Sequence, residues 1–241
     1  IWLKADLAAD NTTGLLTPLV KLDGETDGAS AALVVTDPEG YAVYEGPAAG
    51  DTIEIEGFQP WSHAAPVLYH AVLTLRDADG VLHEVVPYDI GFRRFEMING
   101  VMCLNGERVV FNGVNRHEWN ADRGRAIGAD DMHAAMAVFK KNNINAVRTC
   151  HYPDQSLWYD LCDRNGIYMI DETNLKSHGS WQKLGAVEPS WNVPGSLPEW
   201  KDCVVDRARS MFERDKNHAA VLIWSCGNES YAGEDILAMS Q

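Results

Sequence analysis

Four short polar clusters interrupt apolar segments in the second half of the sequence: Asn115-Arg116-His117-Glu118, Arg148 with His151-Tyr152-Pro153, Asp171-Glu172-Thr173-Asn174, and Asn228-Glu229. Together they supply carboxylates and imidazoles, the groups that general acid–base chemistry requires. Competing chemistries lack their signatures. There is no H-E-x-x-H, and His117-Glu118 has no second histidine four residues on, which argues against a catalytic zinc. No G-x-S-x-G elbow is present. The glycines form neither a phosphate loop nor a dinucleotide fingerprint. Carboxylate chemistry remains, and Glu229, soon after the apolar run Val221-Leu222-Ile223-Trp224, is its most prominent candidate.

The elements that must position these residues follow from hydrophobic rhythm. From about residue 105, Val109-Val110-Phe111, Asn145-Ala146-Val147-Arg148, Ile167-Tyr168-Met169-Ile170 and Val221 to Trp224 read as strands. Between them lie helical patterns: Met132, Ala135, Met136 and Phe139; a helix from Asp154 that stops at Asn165-Gly166; and one beginning at a capping box, Ser196-Leu197-Pro198-Glu199, with Trp200, Cys203, Val204 and Met211 on one side. Strand alternating with helix implies a parallel sheet with right-handed crossovers. In such sheets the chemistry lies at the carboxyl ends of the strands. Each polar cluster follows a predicted strand. One cluster alone is explained by the need to turn; four on one rim point to an active site. The Gly-, Pro- and Trp-rich segment 178–196 is long enough to be functional, and Trp181 and Trp191 either face a sugar ring or pin the loop.

Residues 1–95 have a different rhythm. "LVKLDG", "AALVVTD", "DTIEIEG" and "YHAVLTLRD" alternate with period two, separated by turn signals such as Asp37-Pro38-Glu39-Gly40 and Asp77-Ala78-Asp79-Gly80. This predicts an antiparallel sandwich of the immunoglobulin kind. His63, His70 and His83 lack metal-ligand spacing and are read as surface or packed residues.

Bulk properties exclude several partners. The 241 residues carry a formal charge of −15, with 46% hydrophobic and 23% charged residues. The pI near 4.8 makes nucleic acid a poor partner. No run approaches the ~20 apolar residues that span a bilayer. Five scattered cysteines without a C-x-x-C pair argue against disulfides or structural zinc and are expected to be free thiols in the cytoplasm. A start at Ile1 is expected to mean that the native N-terminus is absent.

The segments "GVNRHEWN", "NAVRTCHYPDQSLWYDLCDRNGIYMIDETNLKSHG" and "ERDKNHAAVLIWSCGNES" closely resemble glycoside hydrolase family two, specifically its β-galactosidases, and "PWSHAAPVLYHAVL" is similar to a strand of the family's sandwich. The resemblance implies an immunoglobulin-like sandwich (1–95) followed by strands 1–4 of an incomplete (β/α)8 TIM barrel (96–241). It implies that Glu229 is the general acid/base, that Asn228 contacts the sugar 2-hydroxyl, and that His117, His151 and Arg148 line the sugar pocket. It implies a terminal β-D-galactoside (lactose-like) substrate. It further implies a nucleophile after a seventh strand that this chain does not carry, so the chain is expected to be inactive alone. The missing barrel half and a homo-oligomer of the parent are the expected partners. Magnesium is the family's cofactor, held at the positions of Lys176, His178 and Glu229; a lysine is not a metal ligand, which puts that site in doubt. The alternatives are a non-catalytic carbohydrate-binding or assembly module, and a β-glucuronidase or β-mannosidase of the same family.

Overall fold

The computed structural model describes residues 1–24, 26–181 and 193–241. Trp191, with the middle of its loop and the side chain of Trp181, lies outside the described residues. The chain divides into two compact units: 1–110 with 163–166 and 217–219, and 111–162 with 167–216 and 220–241.

In the first unit, β1 (Trp2–Leu7), β2 (Gly14–Leu19) and β5 (Ile53–Ile55) form one antiparallel sheet. A second contains β3 (Ser30–Thr36), β4 (Ala42–Pro47), β6 (Tyr69–Arg76) and β7 (Leu82–Ile90), in the order β4-β3-β6-β7. Alternating side chains place Leu3, Leu7, Leu16 and Ile55 from the first sheet in one buried cluster with Leu33, Val35, Tyr69, Ala71, Leu73 and Ile90 from the second. The result is a seven-stranded sandwich. Phe92 seals it edge-on, its ring 5.0 Å from that of Tyr69 and 5.9 Å from that of Phe58. The two turns work as their residues suggest. Asp37 Oδ1 accepts the Tyr41 N–H at 2.8 Å and Asp77 Oδ1 that of Val81 at 2.9 Å, while Gly40 and Gly80 supply positive φ.

One expectation fails here. "LVKLDG" is not a strand; only Leu19 belongs to β2, whose pairing ends where Leu19 meets Trp2 at the start of β1. Beyond that pair the alternating residues have no ladder to join. A small antiparallel sheet of β8 (Phe95–Ile98), β9 (Val101–Leu104) and β10 (Glu107–Arg108) closes the unit.

The second unit alternates β11 (Gly113–Arg116), α1 (Ala129–Lys141), β12 (Ala146–Thr149), α2 (Ser156–Asn165), β13 (Tyr168–Glu172), α3 (Pro198–Asp215), β14 (Val221–Ser225) and α4 (Glu234–Met239). All four strands are parallel, in the order β11-β12-β13-β14. Helix α1 carries Asp130 and Asp131 in its first turn and Lys140 and Lys141 in its last, each sign complementing the helix dipole.

The first strand of the parallel sheet lies later than Val109-Val110-Phe111. Val110 is exposed, and the ladder begins only after Asn145 Oδ1 accepts the Asn112 N–H at 2.7 Å, with Gly113 opposite Ala146. A Cβ at Gly113 would come within 3.0 Å of that of Ala146, so close strand approach outweighs apolar character in fixing the register. The predicted capping box is also corrected. The N-cap is Leu197 with Pro198 following, and Ser196 Oγ instead accepts the Glu234 N–H at 3.1 Å, at the start of α4. Of the side chains expected together on one side of α3, Val204 and Met211 are buried, whereas Trp200 and Cys203 are exposed.

Phe92 joins the two sheets of the sandwich, so Phe92→Ala should lower its stability by ~3–5 kcal/mol. A urea melt of the chain, followed by near-UV circular dichroism, checks this.

Candidate active site

The four predicted clusters do meet, and an acid that sequence reasoning placed on the rim joins them. Glu172, the last residue of β13, is 0% exposed. Its Oε2 accepts from Arg148 Nε at 2.6 Å and from Ser225 Oγ at 2.8 Å, while Oε1 lies 2.7 Å from His151 Nδ1. Arg148 then reaches outward. One terminal nitrogen donates to Asn115 Oδ1 at 3.3 Å and the other to Asn228 Oδ1 at 2.9 Å. Residues of β11, β12, β13 and β14, and the loop after β14, are thereby linked through one buried carboxylate.

Asp171 is likewise 0% exposed but belongs to a different network. Adjacent residues on a strand face opposite sides of the sheet, and Asp171 Oδ1 accepts from Thr149 Oγ1 at 3.2 Å and from Tyr159 of α2 at 2.7 Å. Burial, then the neighbouring Asp215 carboxylate, pushes its pKa up to about 8. Neither Asp171 nor Glu172 is an open rim carboxylate.

His117 and His151 stand edge to face, their ring centroids 5.5 Å apart. Tyr152 OH lies 3.4 Å from His117 Nδ1 and accepts the Glu118 N–H at 3.1 Å. Partial burial, and then the charges of His151, Arg125 and Lys176, lower the His117 pKa. This shift favours the neutral ring, which can both donate and accept hydrogen bonds.

Glu229 follows the strand end in an unusual backbone. Its φ is 45°, left-handed for a residue with a side chain, and Gly227 before it has φ of 125°. A Cβ on Gly227 would fall 2.6 Å from the Leu175 carbonyl oxygen, so only glycine fits. The Asn228 N–H donates to that same carbonyl at 2.8 Å, and Asn228 bridges to Lys176 as an isolated parallel pair. Asn228 Nδ2 donates to Glu229 Oε2 at 2.9 Å. His178 Nδ1 lies 3.5 Å and Lys176 Nζ 3.8 Å from that oxygen, with the Lys176 and Glu229 side chains both 48% exposed. Such an exposed pair adds only ~0–1 kcal/mol to stability.

Among the described residues, the group with metal-ligand spacing is His117, Cys150 and His151, whose ligand atoms lie within 4.8 Å of one another. Its nitrogen and sulfur donors do not suit magnesium. The five cysteines are all free, and no described helix is long and apolar enough to cross a membrane.

Two outcomes test this arrangement. Arg148→Met leaves the Glu172 carboxylate buried without its cation and should cost ~3–5 kcal/mol in a denaturant melt, more than Arg148→Lys. Asp171, with its pKa raised from 3.8 to about 8, binds a proton on folding. Its contribution is complete below pH 4 and is lost as pH rises to about 8. Asp171→Asn should therefore flatten the fall in stability across that range, as read from melting temperature against pH.

Residues 3–93 match the family model described as glycosyl hydrolases family 2, and residues 95–241 match glycosyl hydrolases family 2, TIM barrel domain. A beta-galactosidase of Clostridium acetobutylicum is 52% identical over 100% of this chain and 27% of its own length. One of Halalkalibacterium halodurans is 62% identical over 75% of this chain and 18% of its own length. A beta-galactosidase large subunit of Lactobacillus acidophilus is 48% identical over 99% of this chain and 39% of its own length. The chain thus spans well under half the length of these relatives. A solved beta-glucuronidase of Ruminococcus gnavus superposes with a TM-score of 0.85 at 23% identity, over 99% of this chain and 39% of that one, a likeness of fold.

Proposed function

The chain belongs to the glycosyl hydrolases of family 2, and from that premise we propose that it is part of a retaining β-galactosidase in which Glu229 is the general acid/base. The observation that carries this reading is the Asn228–Glu229 pair beyond β14. Asn228 accepts from Arg148 with its oxygen and donates to Glu229 with its nitrogen. The acid is thus tied to the buried network while staying open to a ligand.

Retaining hydrolysis needs two carboxyl groups ~5–5.5 Å apart, one attacking the anomeric carbon and one protonating the departing oxygen. Glu229 gives its proton to the leaving oxygen and then takes one from the attacking water. Glu172 is unsuited to be the nucleophile because Arg148, Ser225 and His151 already engage both its oxygens. We assign the nucleophile to sequence outside these 241 residues. The four parallel strands would then be the first half of an eight-stranded barrel. In that reading His117, His151, Arg148 and Asn228 hold the sugar hydroxyls, with Glu172 fixing the orientation of Arg148 and His151.

A β-D-galactoside as substrate is supported by relatives at 48–62% identity named as beta-galactosidases. The glucuronidase likeness, at 23% identity, speaks only to fold. The relatives named as large subunits support a partner chain.

The test is hydrolysis of an aryl β-galactoside, with an aryl β-glucuronide beside it. The chain alone should be inactive. Joined to the C-terminal remainder of a relative it should turn over the galactoside, and Glu229→Gln should cut kcat by ~10²–10⁴-fold. Turnover by the chain alone that vanishes in Glu229→Gln would put a nucleophile within these residues. Preference for the glucuronide would reject the substrate.

A further inference from the structure

The magnesium implied for the family does not fit the residues at Glu229. Of the three positions that would hold it, 176 is a lysine, and its ammonium lies 3.8 Å from Glu229 Oε2. A cation already faces the oxygen that a metal would need. His178 Nδ1 at 3.5 Å and Asn228 Nδ2 at 2.9 Å converge on the same oxygen. Magnesium demands an octahedral shell of oxygens and is reluctant to shed water. A lysine offers it no lone pair and repels it.

We infer that Lys176 is a resident cation standing in for a divalent ion, positioning Glu229 by charge and making this site independent of magnesium. The loop geometry supports the assignment. Lys176 pairs with Asn228 as an isolated parallel bridge, and Leu175 accepts the Asn228 N–H at 2.8 Å. The lysine therefore issues from backbone fixed to the residue preceding the acid, and its ammonium is delivered to Glu229 by the strand-end loops themselves. A divalent ion binds and dissociates, whereas a side chain is always present. The acid would then keep its electrostatic surroundings whether or not magnesium is in solution.

The inference rests on Glu229 being the catalytic acid, yet its test uses no turnover, so it can fail while the glycosidase reading stands. Magnesium is titrated calorimetrically into the chain, into Glu229→Gln, into Lys176→Glu and into Lys176→Glu/Glu229→Gln, each first checked by near-UV circular dichroism. The wild-type chain should show no saturable uptake. Lys176→Glu should gain one site at least tenfold tighter than any wild-type binding, and the second substitution should remove it. Saturable magnesium uptake by the wild-type chain that Glu229→Gln abolishes would overturn the inference. A folded Lys176→Glu chain that binds no magnesium would also overturn it, because residue 176 would then not govern the metal.

Discussion

A carboxylate without solvent contact holds the carboxyl ends of four strands in place. Removing Glu172 from water is costly, and the cost is met only because Arg148, Ser225 and His151 saturate its oxygens. Arg148 passes the constraint on, to Asn115 on one side and Asn228 on the other. The pair is better understood as a device for geometry than as a source of stability, since a buried ion pair is often replaceable by apolar packing without loss. Apolar side chains could fill the same volume, but they would not aim an asparagine at Glu229.

The site therefore has an inner and an outer layer with opposite physical characters. The inner layer centres on one buried carboxylate, with both its oxygens engaged, and is held by directional contacts. The outer layer, Glu229 with Lys176 and His178, is open and held by longer electrostatic contacts. Asn228 spans both, with its oxygen on the inner arginine and its nitrogen on the outer acid. The acid/base role proposed for Glu229 needs this combination: access to exchange a proton and a ligand, and a fixed origin for its side chain.

Much of this was legible in the sequence because the polar clusters interrupt strongly patterned segments. The helix stop at Asn165-Gly166, the turns at Asp37 and Asp77, and three of the four named sandwich runs follow from local chemistry and appear as expected. Pattern alone misjudged residues whose environment is set by remote partners. Asp171-Glu172 reads as a polar strand end, yet both side chains are buried, on separate networks supplied from elsewhere in the chain. Val109-Val110-Phe111 reads as a strand, but β11 is placed by its fit against β12, where Gly113 allows the close approach to Ala146. The left-handed backbone of Glu229 has no local signal except the glycine two residues before it.

Gly227 also bears on how such a site can diverge. A methyl group there would collide with the Leu175 carbonyl, and the Leu175 and Lys176 backbone is paired with Asn228. Residues 175–176 after β13 and 227–228 after β14 are consequently not free to drift separately. A change of backbone path at residues 175–176 must be matched at 227–228, so these two stretches should diverge together as a single inherited unit. The side chains they carry, such as the one at position 176, stay open to exchange.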